Sequence, residues 1–231
     1  MRTSNKILLF SFLTAVLIIT GIHIALKAKI DSGNLVVIGK RGPGPFDNFE
    51  APDVKHVIIS GFEDCRVYYS DTAQFKLTKN WKDLMDWKVN GDTLIIEAGK
   101  KYETGERLYQ PVLLYLPNDV DIHGRYTNFF LYGDTARENS RTVTGETCEI
   151  NVRSSASRGI SYWKKLNIST TDAVVDISPD CNIEELELSL GGATRFMDGG
   201  AKFGSISARL DSTSTMTLSG GNIEKVKFIK Q

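Results

Sequence analysis

Trp163-Lys164-Lys165-Leu166-Asn167-Ile168, Ile183-Glu184-Glu185-Leu186-Glu187-Leu188, Phe203-Gly204-Ser205-Ile206-Ser207-Ala208 and Ile223-Glu224-Lys225-Val226-Lys227-Phe228 are four copies of one pattern set twenty residues apart. Three apolar columns run through them without a gap, headed by Trp163, Leu166 and Ile168. The second and third columns are separated by one polar residue, the period of two that a strand shows when one face is buried. A second apolar stretch follows at 175–177, 196–197 and 216–218, and each ends in turn formers: Pro179-Asp180, Gly199-Gly200 and Gly220-Gly221. Such residues adopt the backbone angles at which a strand changes direction. The unit is strand, bend, strand, bend, and twenty residues leave no room for a crossover helix. Copies of this kind hydrogen-bond by stacking in parallel about 4.8 Å apart, which makes a β-helix. A helix-pair repeat, the alternative, needs more than about thirty residues and far fewer Ser, Thr and Gly.

The same register is expected to reach upstream to Cys148, Ile150 and Val152, set against Leu166, Ile168 and Thr170. Regular coils are therefore expected over 143–231, after a more irregular β region over 46–142. In that region strand-like runs lie at 57–60, 66–69, 75–78, 88–89, 94–97 and 112–116. Asn90-Gly91 between two of them is a hairpin signal. One helical turn is expected within Trp81 to Trp87, and a polar loop over Gly99 to Gln110.

Phe46-Asp47-Asn48-Phe49, then Val57-Ile58-Ile59-Ser60-Gly61 and Cys65-Arg66-Val67-Tyr68-Tyr69-Ser70, resemble the opening of the bacterial head GIN domain family of adhesin-like proteins. Val89-Asn90-Gly91-Asp92-Thr93-Leu94-Ile95-Ile96 and Val112-Leu113-Leu114-Tyr115-Leu116-Pro117 continue the resemblance, which covers about residues 46 to 231. The resemblance implies a right-handed β-helix exported in Gram-negative bacteria, with no established enzymatic activity and no agreed functional residues. This chain departs from the usual pattern in the stretch Gly99 to Gln110 and in its amino-terminal segment.

That segment holds twenty residues, Ile7 to Leu26, without Asp, Glu, Lys or Arg, flanked by Arg2 and Lys6 and by Lys27 and Lys29. At about 1.5 Å per helical residue it spans about 30 Å, the hydrocarbon thickness of a bilayer. A cleaved signal peptide is the alternative, but its apolar run is shorter and ends in a small-x-small site, where this chain offers Leu26 and Lys27. The expected organisation is a cytoplasmic tail 1–6, a transmembrane anchor 7–26, a stalk 27–45 closed by Gly42-Pro43-Gly44-Pro45, and an outer domain 46–231. The expected location is the inner membrane of a Gram-negative bacterium with the carboxy-terminal domain in the periplasm, or export after signal cleavage.

The formal charge of zero hides a split: residues 1–45 hold six Lys or Arg and one acidic residue, leaving 22 basic and 27 acidic residues for the rest. A mildly acidic outer domain offers nucleic acid no footprint. Cys65, Cys148 and Cys181 have no metal-motif spacing and read as small apolar core residues, with a Cys148–Cys181 disulfide as the alternative. His23, His56 and His123 are scattered, so neither a metal nor a cofactor is expected.

A hydrolase would need paired carboxylates or a base beside a nucleophile, and the coil register assembles neither. Arg195 is expected near Asp176 and Thr215, and Arg209 near Glu187 and Ser189, as solvated outward charges. Aromatic residues concentrate ahead of the repeat, where flat rings either fill the core or bind sugars and proteins. Trp81, Trp87, Tyr126 and Phe129 are the candidate binding residues. Thr72 and Thr135, in the triplets Asp71-Thr72-Ala73 and Asp134-Thr135-Ala136, are candidate O-glycosylation sites. The function expected is a non-catalytic, adhesin-like envelope protein presenting a solenoid face to a glycan or protein partner. A polysaccharide-cleaving β-helix enzyme and an envelope signalling or assembly subunit are the alternatives.

Overall fold

A computed structural model describes Thr14, Val16, Thr20 and residues 45–99, 106–136, 138–155 and 159–229. The chain divides into two units, Met1–Gly44 and Pro45–Gln231. In the first, Thr14, Val16 and Thr20 are helical, and the Thr20 hydroxyl donates to the Val16 carbonyl at 2.8 Å. The rest of the apolar run 7–26 and the stalk up to Gly44 lie outside the described residues. Among the described residues no helix is long and apolar enough to cross a membrane.

The second unit contains strands β1 (Phe46–Glu50), β2 (His56–Ser60), β3 (Cys65–Tyr69), β4 (Gln74–Thr78), β5 (Met85–Asn90), β6 (Thr93–Ala98), β7 (Val112–Leu116), β8 (Asp121–Arg125) and β9 (Asn128–Gly133). These are followed by β10 (Glu138–Glu146), β11 (Glu149–Ser154), β12 (Ser161–Thr171), β13 (Val174–Ile177), β14 (Cys181–Gly191), β15 (Arg195–Met197), β16 (Lys202–Leu210), β17 (Thr215–Thr217) and β18 (Val226–Phe228). They form two nine-stranded sheets, ordered β1-β4-β7-β3-β9-β11-β13-β15-β17 and β18-β16-β14-β12-β10-β8-β2-β6-β5. From β8 onward successive strands alternate between the sheets, giving a β-solenoid of about five turns.

The apolar columns stack as the period requires. Leu166, Leu186, Ile206 and Val226 lie opposite one another in parallel register, as do Ile168, Leu188, Ala208 and Phe228. Trp163 and Leu166 both face inward although they are three positions apart, because Lys164 and Lys165 both turn outward. Glu184-Glu185 and Gly204-Ser205 repeat that double step. A Cβ on Gly204 would lie 2.6 Å from the Glu184 carbonyl oxygen, so this tight passage takes glycine.

The structure corrects the upstream register. Arg141, Val143 and Gly145 of β10, not Cys148, Ile150 and Val152, lie opposite Leu166, Ile168 and Thr170. The Cys148 segment belongs to the other sheet, where Ile150 pairs with Val175. Both sheets have the same alternation, so counting apolar residues does not say which sheet a strand joins. A buried arginine at an inward position conceals the true match. Arg141 is 6% exposed, and its guanidinium donates to the carbonyls of Leu116 at 3.1 Å and Val120 at 3.3 Å, and to that of Pro117. Burial pulls its pKa down to about 10 against the raising influence of Asp119 and Asp121.

Regular stacking also begins ahead of residue 143, but out of chain order. The coil β2–β3 stacks on β8–β9 on one side and on β6–β7 on the other, all in parallel. The chain thus builds β2–β3, runs to the end of the solenoid for β4 to β7, and crosses back at 117–120, the turn that Arg141 holds. Antiparallel β1, β4 and β5 close that end. At the other end the fourth copy of the repeat frays: Ile223 lies in a helical turn, Gly220–Ile223, at 59% exposure, and Phe228 is 67% exposed.

One corner repeats through the stack. Gly61, Tyr126, Thr147, Asp172 and Gly192 each follow directly on β2, β8, β10, β12 or β14, and each has a φ between 51° and 87°. For the β-branched Thr147 that conformation is strained.

Candidate functional site

Strands β7, β3 and β9 are neighbours in the first sheet although 42 residues separate the end of β3 from the start of β7 along the chain. In each, alternate apolar residues fill the core: Val112, Leu114 and Leu116; Cys65 and Val67; Phe129 and Leu131. The opposite parity puts Tyr115, Tyr68 and Tyr132 on the outer face. Tyr115 pairs directly with Tyr68, and the β3–β9 register carries the row on to Tyr132. Their rings stack: Tyr68 and Tyr115 have centroids 5.2 Å apart at an interplanar angle of 21°, and Tyr68 and Tyr132 have centroids 4.9 Å apart at 6°. All three are half-buried. Leu113 and Phe130, also half-buried, form the next row.

Cations rim this surface. Lys76 Nζ sits 4.6 Å from the Tyr115 centroid, a cation–π contact. Arg66 makes a two-pronged bond to Asp64, with both contacts at 2.8 Å. That bond raises the Arg66 pKa well above its ordinary value. Arg153, opposite Tyr132 on β11, binds Asp176 at 2.7 Å. Burial, reinforced by the neighbouring Tyr132 phenol, pushes the Tyr68 pKa up. Tyr68 is therefore a neutral hydrogen-bonding phenol at physiological pH.

Of the residues picked from sequence, Trp81 and Trp87 meet each other, with ring centroids 6.2 Å apart. Phe129 is fully buried, its ring pressed against Gly124, where a Cβ would lie 2.0 Å away, so it is a core residue and not a binding one. Trp81 and Trp87 pack with Phe49 and Phe75 beneath the closing strands, at centroid distances of 4.8 to 6.2 Å. The Trp81 indole N–H donates to Asp47 at 3.1 Å. The expected helical turn there is shorter, Trp81–Asp83, because Trp87 belongs to β5. Tyr126 is a half-buried corner residue with the Arg125 guanidinium 5.2 Å from its ring centroid. Thr72 is exposed in the turn after β3, while Thr135 is half-buried in the turn after β9.

Cys65, Cys148 and Cys181 are buried and unpaired, so the disulfide alternative is corrected. Burial pushes all three thiols up, Cys181 to about 12, which keeps them protonated and unreactive. His56, at the start of β2 with a partly exposed side chain, lies 3.9 Å from Asp92 and 3.8 Å from Asp121. Arg195 stands opposite Thr215, as expected, and opposite Val174, two positions before Asp176 on β13, while Asp176 itself pairs with Arg153. Among the described residues no three His, Cys, Asp or Glu side chains converge as metal ligands would.

The sequence matches no protein-family model and no curated protein. Similar solved structures include a "putative lipid binding protein" from Parabacteroides distasonis, 14% identical over 76% of this chain and 82% of that one, with a TM-score of 0.43. A "putative adhesin" from Parabacteroides merdae is 12% identical over 82% of this chain and 95% of that one, with a TM-score of 0.39. Another from Parabacteroides distasonis is 10% identical over 80% and 93%, with a TM-score of 0.36.

The tyrosine row was within reach of the sequence as parity, since the apolar alternation of each strand fixes which tyrosine faces out. That the three stand side by side depends on the coil order, which no local pattern encodes.

Proposed function

We propose that this chain is a non-catalytic recognition protein of the bacterial cell envelope, of the head GIN type, held to the inner membrane by residues 7–26 with its solenoid in the periplasm. The outward stack of Tyr115, Tyr68 and Tyr132 is the observation that carries this reading. Tyrosine and arginine are the residues on which interfaces concentrate their binding energy, and here a rigid ladder holds them in place before any partner arrives. The solenoid lets outer side chains vary without disturbing the ladder beneath, which suits it to recognition. The apolar run 7–26 supports the tether. Thr72, the exposed member of the two candidate acceptors, fits attachment of a sugar better than Thr135.

The test is retention of the full-length protein on envelope fractions, compared with a Tyr68→Ala, Tyr132→Ala double variant. Retention of the double variant at least about tenfold lower is expected; equal retention defeats the proposal. Deleting residues 7–26 should release the protein from carbonate-washed membranes. The intact mass of natively expressed protein should exceed that of the bare chain if Thr72 is glycosylated.

A further inference from the structure

We infer that the tyrosine row reads an uncharged linear oligosaccharide lying along the stacking axis of the solenoid, across strands β7, β3 and β9. This rests on the recognition reading above and narrows its ligand to one chemical class.

The geometry of the rings sets the chemistry. Nearly parallel rings about 5 Å apart spend their faces on one another, and Lys76 occupies a face of Tyr115. What all three rings leave for a ligand is their edges and the phenolic oxygens, repeated strand by strand. An aromatic edge is electropositive and meets oxygen lone pairs favourably, while each phenol both donates and accepts. A run of such groups at regular spacing complements a molecule that repeats hydroxyl and ether oxygens at regular spacing. A flat apolar partner would instead want open ring faces.

Charge decides against the acidic members of that class. Arg66 is committed to Asp64 and Arg153 to Asp176, each pair at 2.7 to 2.8 Å, so two of the three rim cations are already neutralised. A polyanionic glycan would have to displace those carboxylates or forgo their cations. A neutral glycan can accept hydrogen bonds from the Arg66 N–H groups that Asp64 does not take.

The test uses the full-length chain in a sugar-free detergent, titrated with cellohexaose, maltohexaose and chitohexaose, and with a sulfated heparin hexasaccharide as the anionic counterpart. At least one neutral probe is expected to bind, more tightly than the sulfated one. Tyr68→Phe, which keeps the ring stack and removes one hydroxyl, should weaken binding about fivefold. Tyr68→Ala should weaken it by about thirtyfold. An unchanged melting curve for Tyr68→Phe separates lost contact from lost fold. The inference is overturned if none of the three neutral hexamers binds, if the sulfated probe binds more tightly, or if Tyr68→Phe binds as the parent does. Should the sugars fail while retention on envelope fractions still depends on Tyr68 and Tyr132, the recognition reading survives and only the glycan assignment falls.

Discussion

The two ends of this solenoid solve the same problem by different means. At one end antiparallel β1, β4 and β5 fold over the last parallel coil, and half-buried Phe49, Trp81 and Trp87 cluster with the fully buried Phe75. At the other, no strand follows β17 or β18 among the described residues, and a hydrogen-bonded turn replaces the aromatic lid. There the buried Asp198 accepts from the Gly200 and Ser219 backbone N–H groups, the Ser219 hydroxyl and the Asn222 amide, at 2.7 to 3.1 Å. Asn222 also donates to the Ala201 carbonyl at 2.8 Å. A hydrophobic lid gains from area removed from water and is indifferent to pH; a carboxylate latch works only while it is ionised.

That contrast can be broken most forcefully at Phe75, which is fully buried and stacks on Phe49 at 4.9 Å. Phe75→Ala should cost about 3 to 5 kcal/mol in urea melts. An effect below about 1 kcal/mol would mean the lid is not part of the core. In the regular coils, Leu186→Ala should cost about 2 to 5 kcal/mol, whereas the outward Glu187→Ala should stay within about 0.5. Similar losses from the two would contradict the register.

The latch is sharpened by pH. Burial raises the Asp198 carboxyl, but the bonds from Asn222, Ser219 and Gly200 together outweigh it and hold its pKa below the ordinary 3.8. Nearby, bonds from Ser214 and Thr213 pull exposed Asp211 down to about 2. For groups depressed in the fold, the stabilisation is complete above the unfolded pKa and is lost as pH falls through the folded one. Amides at 201–222 should therefore lose hydrogen-exchange protection as pH drops from about 4 toward 2, ahead of those in β6 and β7. Asp198→Asn should remove most of that difference. Loss at both ends together would show that the latch does not act locally. The smallest expected effect is at the repeated corner: Thr147→Gly relieves a positive φ and should stabilise by about 1 kcal/mol, less the extra backbone entropy of glycine. A destabilised variant would mean the Thr147 side chain contributes more than its strain costs.

Much of this architecture was legible in the residues. The columns through Leu166 and Ile168 gave parallel coils, and Val112–Leu116 was read to the residue, because local alternation and a repeat of fixed length are properties of neighbouring positions. The placement of Cys148 in the wrong sheet has an equally local cause, since Arg141 breaks the apolar column where it should continue. What sequence could not supply was order: β2–β3 sits between two coils made later in the chain, and nothing near Val57 or Val67 announces it. The site shared that fate. Tyr68, Tyr115 and Tyr132 were visible as aromatics, but their adjacency follows from the threading. Trp81 and Trp87 are half-buried, the partial exposure that their polar neighbours indicate, and pack into the lid.

The same threading bears on how the molecule is made. From β10 on, each turn can dock on a finished predecessor as soon as it leaves the ribosome. Residues 56–69 cannot, because their partners on both flanks lie at 93–133. Until those arrive, Val57, Ile59 and Val67, all but fully buried in the finished fold, have no cover. Contacts that must wait for distant chain slow assembly and lengthen exposure to aggregation. Assembly thus favours either a holding chaperone over this stretch or release of the whole domain before any of it closes.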